Sequence, residues 1–270
     1  MPSSLDQIVA ATRRKVVRNK AEADLRQLEH EAAKHVPRGF RRALELRSQH
    51  GTAIIAELKK ASPSRGLIRA DFDAASLAQE LERAGAAALS VLTDEEFFQG
   101  SLGNLRLASQ STKLPCLRKD FIVDEIQILE ARANQADAIL LIVAALSQPE
   151  LRTLTRRADE CGLDVLCEVH DNDELHRALD AGCNLIGVNA RDLRTFKVDL
   201  ETAFHLAEAI PKNALRVAES GIHSGADIAR LRSAGYQAFL IGESLMSAKS
   251  PGEALRGLIE QSAMSLRTER

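Results

Sequence analysis

From Ala53 onward the chain repeats one unit: a short apolar run, a polar turn, an amphipathic stretch at helical spacing, and a stop. The apolar runs are Ala53–Leu58, Ala87–Leu92, Pro115–Arg118, Ala136–Val143, Asp164–Val169, Leu185–Asn189, Leu215–Glu219 and Ala238–Ile241. They are near-continuous rather than alternating, the pattern of parallel strands covered on both faces. Helices are expected at Ala74–Arg83, Glu125–Ala133, Pro149–Glu160, Asp173–Ala181, Leu200–Ala209, Ser224–Ala234 and Gly252–Gln261. Several stop at Ala84-Gly85, Cys161-Gly162, Ala181-Gly182 or Ala234-Gly235, where glycine supplies the left-handed turn into the next strand. Eight such units in about 220 residues predict an α/β fold, a closed (β/α)8 TIM barrel. The alternative, a doubly wound open sheet, places its ligand at a strand-order crevice. No Gly-x-Gly-x-x-Gly opens a helix here.

Residues 1–52 follow another rule. Leu5, Ile8, Val9, Thr12 and Val16 recur at helical spacing. A second helix is expected over Ala21–Lys34, broken by Pro37 and Gly39, and a short third over Arg41–Arg47. We read this segment as a helical extension packed on a barrel of residues 53–270, the whole forming one domain.

A net charge of −2 argues against nucleic acid as a partner. The longest apolar run, near Ala138–Leu146, is too short to span a membrane, and the N-terminus has no secretory apolar core. Cys116, Cys161, Cys167 and Cys183 form no Cys-x-x-Cys and read as reduced, mostly buried thiols of a cytoplasmic protein. His170 and His176 lack a metal-ligand spacing and read as surface histidines, so no metal is expected.

In a barrel of this kind the reacting groups sit at the C-terminal ends of the strands. Five of those ends carry ionisable or amide groups: Glu57-Leu58-Lys59, Leu117-Arg118-Lys119-Asp120, Cys167-Glu168-Val169, Val188-Asn189-Ala190-Arg191 and Ala218-Glu219-Ser220-Gly221. On the first strand, period two puts Ala53, Ile55, Glu57 and Lys59 on one face. Lysines and carboxylates gathered at one rim have displaced pKa values, which acid–base chemistry requires.

The turns Ser220-Gly221-Ile222 and Gly242-Glu243-Ser244 follow the seventh and eighth strands, where barrels commonly bind phosphate at a helix N-terminus. Ser62, in the loop Ser62-Pro63-Ser64-Arg65-Gly66, and Arg191 could close that cage. Phe97, Phe98 and Phe121 fall just past the second and third strands. Core packing is the usual fate of Phe. The functional reading is an apolar slot for a planar ring, lined by Phe98 and Phe121.

Together these residues resemble the indole-3-glycerol phosphate synthase family. The matching segments are Ile55-Ala56-Glu57-Leu58-Lys59-Lys60-Ala61-Ser62-Pro63-Ser64, Leu117-Arg118-Lys119-Asp120-Phe121-Ile122 and Glu168-Val169-His170. They continue through Gly187-Val188-Asn189-Ala190-Arg191-Asp192-Leu193, Ala218-Glu219-Ser220-Gly221-Ile222 and Leu240-Ile241-Gly242-Glu243-Ser244-Leu245-Met246. The resemblance implies ring closure of a phosphosugar–anthranilate substrate with loss of carbon dioxide and water, and no cofactor. It implies that Lys119 is the general acid at the ketone and that Lys59 holds the substrate carboxylate and joins a later proton transfer. Glu168, more than Glu57, serves as base. Asn189 and Glu219, with Ser220 beside them, orient the sugar hydroxyls. Ser62, Arg191, Ser220, Gly221, Gly242, Glu243 and Ser244 hold phosphate, and Phe98 and Phe121 flank the anthranilate ring. A monomer or weak homo-oligomer is expected. Two other readings differ at named positions. A phosphoribosylanthranilate isomerase would carry Cys where Glu57 and Lys59 stand, and a catalytically idle phosphosugar-binding protein would have lost Lys119 or Glu168.

Overall fold

In the computed structural model, which describes residues 4–193 and 195–268, each barrel strand pairs in parallel with the next, and the last pairs with the first. The strands are β1 (Ala53–Leu58), β2 (Ala88–Leu92), β3 (Cys116–Lys119), β4 (Ala138–Ile142), β5 (Asp164–Val169), β6 (Leu185–Asn189), β7 (Leu215–Glu219) and β8 (Ala238–Ile241). Closure is set by the register Ala53↔Ala238 and Ile55↔Leu240 between β1 and β8. The expected (β/α)8 barrel is therefore observed. Alternation sorts its side chains: Ala53, Ile55, Leu117, Leu140, Leu166, Val217 and Leu240 share the interior cluster. Ile54, Ala56, Leu58, Ile139, Cys167 and Ile186 face outward into the layer beneath the helices.

Three N-terminal helices precede the barrel: α1 (Ser4–Glu22), α2 (Leu25–Ala33) and α3 (Phe40–His50). The outer helices are α4 (Ala74–Arg83), α5 (Leu102–Ser111), α6 (Glu125–Ala133), α7 (Gln148–Glu160), α8 (Asn172–Asp180), α9 (Glu201–Ala207), α10 (Gly225–Ser233), the four-residue α11 (Glu243–Met246) and α12 (Pro251–Thr268). The side chains of Asp73, Ser101, Asp124, Ser147, Asp171 and Ser224 accept backbone N–H groups at the starts of α4, α5, α6, α7, α8 and α10. Such a cap is worth about 1 kcal/mol. At the other ends, Gly85, Gly162, Gly182 and Gly235 all take positive φ, as the Ala-Gly and Cys-Gly stops suggested.

The differences from expectation are local. α5 was not anticipated; its buried stripe is thin, Leu105 and Ala108, while Leu107 faces solvent. β3 begins and ends one residue late, which places Lys119 on the strand itself. β4 is shorter than its apolar run, because Val143–Ala145 turns into a 3-10 helix. The loop after β1 contains a two-residue hairpin, Ala61–Ser62 against Gly66–Leu67.

The N-terminal helices wrap the barrel from mouth to floor. Leu5 and Ile8 of α1 join the interior cluster and line the mouth cavity. Arg13, Lys15 and Lys20 pair with Glu150, Glu95 and Asp124 beyond β4, β2 and β3. α2 packs along α6. Phe40 and Leu44 of α3 are wholly buried and plug the N-terminal end of the barrel. No helix among the described residues is long and apolar enough to cross a membrane.

Candidate active site

Period two lifts Glu57 above Ile55, Lys119 above Leu117, Glu168 above Leu166 and Glu219 above Val217, all at the C-terminal mouth. There a cavity of about 330 Å³ opens, within the size range of small-molecule sites. Glu57, Lys59, Lys119, Glu168, Asn189, Glu219 and Ser220 line it, as do Ser62, Arg191, Gly221, Gly242, Glu243, Ser244, Phe98 and Phe121. Every residue selected from the sequence is thus brought to one place. Arg118 is the exception among the strand-end charges: it turns away from the mouth to hydrogen-bond Asp120 and the Gln127 carbonyl.

Two lysines and three carboxylates share the floor of this cavity. Lys59 Nζ lies 2.6 Å from Glu57 Oε1, and Ser90 donates to the other Glu57 oxygen. Lys119 Nζ bridges two acids, 3.2 Å from Glu168 Oε2 and 3.5 Å from Glu219 Oε2. Burial works against the Lys119 ammonium, but the surrounding Glu168, Glu219 and Glu57 outweigh it and raise its pKa. Burial pushes the Glu57 and Glu168 carboxyls up; the lysine charges beside them more than reverse this and leave both below the usual range. Glu219 goes the other way. Burial, with Glu168 and Glu57 as like charges, pushes it up to about 8 despite Lys119. Near neutral pH Glu57 and Glu168 are therefore ionised beside the Lys119 ammonium, while Glu219 keeps its proton. Oε1 of Glu168 and Oε1 of Glu219 are buried without a hydrogen-bond partner.

Small residues make this crowding feasible. A Cβ at Gly187 would collide with the Glu219 carboxyl, and one at Gly242 with that of Glu57. Gly242 thus serves two neighbours, the acid on β1 and the turn into α11.

At the other end of the cavity stand the anion-binding candidates. Ser220 and Gly221 both take positive φ, so consecutive left-handed residues turn the backbone after β7. Ser244 Oγ is buried and unpartnered at the first turn of α11. Arg191 donates its backbone N–H to Asn189 Oδ1, which ties the cation to the β6 end. Glu243 was expected to serve phosphate through its backbone; its carboxylate lies between two guanidinium groups, 2.8 Å from Arg65 and 3.7 Å from Arg191. A native carboxylate thus occupies the arginines that an incoming phosphate would use. Arg65 is the cation of the Ser62-Pro63-Ser64-Arg65-Gly66 loop, whose chemistry suits an anion, but its pairing with a residue on α11 leaves no local signal.

Phe98 and Phe121 are neighbours, with ring centroids 6.3 Å apart and planes tilted by 38°. The two rings are tilted rather than parallel and together form an apolar wall of the cavity. Asp94 holds this wall by accepting the N–H groups of Phe97 and Phe98. Leu5 and Ile8 of α1 add apolar surface to the same cavity. Their helical spacing marked them as buried, without indicating what they bury against. His176 is exposed, as expected, but His170 is not a surface residue: its side chain is 16% exposed and stands beside Glu168.

Comparison with known proteins agrees with this geometry. The family model described as indole-3-glycerol phosphate synthase matches residues 5–258. An indole-3-glycerol phosphate synthase of Koribacter versatilis is 63% identical over 259 residues, covering 96% of this chain and all of that protein. One of Desulfotalea psychrophila is 51% identical over 222 residues, covering 82% and 85% of the two chains. Among solved structures, a thiamine phosphate pyrophosphorylase from Pyrococcus furiosus superposes with a TM-score of 0.60 at 15% identity, covering 80% of this chain and 96% of its own, a likeness of fold alone. With the strand-end acids and lysines converging on one mouth and the family match running nearly end to end, the chain belongs to the indole-3-glycerol phosphate synthase family.

Proposed function

We propose a division of labour at this mouth for the family's carboxy-lyase reaction in tryptophan biosynthesis. That reaction closes 1-(2-carboxyphenylamino)-1-deoxyribulose 5-phosphate to indole-3-glycerol phosphate, releasing carbon dioxide and water. The phosphate sits at Ser220–Gly221 and the first turn of α11, with Ser62, Ser244 and Arg191 around it, and displaces the Glu243 carboxylate from Arg191. The anthranilate ring lies on the Phe98–Phe121 wall, and Lys59 holds its carboxylate.

The aromatic carbon bearing that carboxylate attacks the ketone carbon, while Lys119 gives its proton to the ketone oxygen. An ammonium with a raised pKa is a reluctant donor. Inserting the ketone between Lys119 and its two acids weakens the attractions that raise it. Breaking the bond to carbon dioxide returns an electron pair to the ring and restores aromaticity. The new hydroxyl then leaves as water with a proton from Lys59. Glu168, ionised and released by Lys119 as that proton is spent, takes the proton from the adjacent carbon, and Glu57 balances Lys59. Glu219, holding its proton near neutral pH, donates to a sugar hydroxyl beside Asn189.

The observation that carries this reading is the Lys119 ammonium within 3.5 Å of both Glu168 and Glu219 in the cavity that also holds Arg191 and Ser244. With no Trp and one Tyr the protein has little emission of its own. Turnover is expected as indole fluorescence rising in step with released carbon dioxide; binding with neither product would overturn the assignment. In the same reading residues 1–52 and 53–270 form one catalytic unit, a cytoplasmic monomer or weak homo-oligomer, the last checked by sedimentation.

A further inference from the structure

One buried contact at the mouth is not used by the roles above. His170 follows β5 directly, and its backbone N–H and Nδ1 both meet Glu174 Oε2, at 2.8 and 3.0 Å. Glu174 is itself fixed in the first turn of α8, where its N–H donates to the cap residue Asp171. The imidazole is therefore held from one side by a helix that cannot shift without breaking its cap. On the other side Nε2 lies 3.6 Å from Glu168 Oε1. Both atoms are buried, and neither has a hydrogen-bond partner.

That pairing restricts the protons. Glu174 accepts the backbone N–H and, as a carboxylate, can only accept from Nδ1, so Nδ1 carries hydrogen. A neutral ring would then turn the Nε2 lone pair toward a carboxylate oxygen, two buried acceptors face to face, which is costly. A cationic ring directs an N–H at Glu168 instead. The charges around the pair agree. Glu174 comes from α8, Glu168 from β5 and Glu219 from β7, with Lys119 of β3 on the far oxygen of Glu168 and Glu57 of β1 beyond it. Burial would lower the imidazole pKa, but the hydrogen bond to Glu174 and the Glu168 charge outweigh it and raise it.

We propose that His170 is a positioning residue of this active site: clamped by Glu174 as an imidazolium, it keeps Glu168 ionised and aimed while Lys119 occupies the other oxygen. This rests on the reading that Glu168 is the base. Its role is to decide how far into acid the base survives.

The sign follows from linkage. Below the imidazole's pKa the added positive charge lowers the Glu168 pKa, and an opposite charge at this range is worth about one unit or more. Above that pKa the ring is neutral and the parent protein loses the same support.

The experiment is the pH profile of kcat/KM, by indole fluorescence, for the parent, His170→Ala, His170→Gln and Glu174→Gln, each checked for folding by thermal unfolding. Both His170 variants should shift the acid limb up by about one pH unit. They should therefore turn over about tenfold more slowly on that limb, with KM little changed and the profiles converging on the parent as pH rises. His170→Gln restores bulk and a donor but no charge, so it should shift like His170→Ala; Glu174→Gln should shift in the same direction by less. A constant loss at every pH, or a profile lying on that of the parent, would overturn the proposal. A second readout is independent of turnover. The His170 ring, assigned by its absence in His170→Ala, should titrate above an ordinary imidazole by NMR and return toward it in Glu168→Gln. An unmoved titration in Glu168→Gln would also overturn the coupling. Unimpaired turnover in Glu168→Gln would instead remove Glu168 as the base, and the NMR shift would still decide whether His170 keeps it ionised.

Discussion

The two ends of the barrel bury the same kinds of charge and treat them in opposite ways. At the N-terminal end Asp137, wholly buried before β4, accepts the backbone N–H groups of Arg38 and Cys116 and the Arg38 guanidinium, with His35 Nε2 at 3.1 Å. Arg38 completes its valence on Ser109 Oγ and the carbonyls of Ser109 and Thr112. At the mouth, Glu168 and Glu219 each keep an oxygen without a partner, and Ser244 keeps its hydroxyl. A buried polar network that is fully paired makes the structure rigid, whereas one left partly unpaired is held at a cost. The saturated Asp137 network locks its neighbours in place, whereas the cluster at the mouth retains unused hydrogen-bonding capacity. Their pKa shifts diverge accordingly. Burial would raise Asp137, yet His35, Arg38 and the Cys116 N–H hold it below the usual range, while Glu219 is pushed up to about 8.

This contrast breaks most sharply at Asp137. Asp137→Ala strands a partly buried guanidinium and two backbone N–H groups, which should cost about 3 kcal/mol in urea unfolding and leave kcat of the folded protein near that of the parent. A parallel collapse of kcat would mean the two ends are not separable. Next in size, Lys119→Ala should lower kcat by at least about 10² in the fluorescence assay while KM changes little. Lys119→Arg should not rescue, because guanidinium does not release its proton near neutral pH; near-normal kcat in Lys119→Ala would pass the acid's role to Lys59.

The third test sharpens the sign of the difference. An unfolded Glu ionises near pH 4.3, but folded Glu219 keeps its proton to about 8, so stability falls as pH rises through that window. Glu219→Gln removes the slope and should gain about 3–4 kcal/mol on the parent between pH 5 and pH 8. Asp137 has the opposite sign: its contribution is full above the unfolded value near pH 4 and is lost as pH falls through its lowered folded value. Equal pH slopes for parent and Glu219→Gln would show that Glu219 is ionised. The smallest effect belongs to Arg191, assigned to the non-reacting phosphate. Arg191→Ala should raise KM roughly tenfold with a modest loss of kcat; a loss confined to kcat would place it nearer the chemistry.

The mouth was legible because its signal is local and periodic. Glu57 and Lys59 sit two apart on one strand face, and five strand ends carry such groups, so period two and the strand direction suffice to gather them. The floor was not legible. Asp137 falls inside an apolar run that reads as strand, and its partners His35 and Arg38 lie about a hundred residues upstream in a segment with no apolar rhythm. Arg65 with Glu243 and Leu5 with the cavity were missed for the same reason. Each is a meeting across elements, written in neither partner's neighbourhood. His170 is an intermediate case: Glu174 is only four residues away, but the spacing crosses a strand end and a helix cap, where neither period applies.

Closure of the barrel through Ala53↔Ala238 also bears on how the protein is made. Synthesis runs from the N-terminus, so β1 emerges long before β8; at ordinary elongation rates on the order of 10 s separates them. Through that interval one edge of β1 has no neighbour, Thr52 waits for Ser262, and Arg41 waits for the Asn213 carbonyl. Contacts this distant in sequence slow folding and leave strand edges open to other chains. The three leading helices emerge first, yet their final seats are built from segments that come later. A nascent chain shortened before Ala238 should therefore remain protease-sensitive throughout its first helices and bind chaperones, and protection of α1 and α3 should arrive together with the last strand.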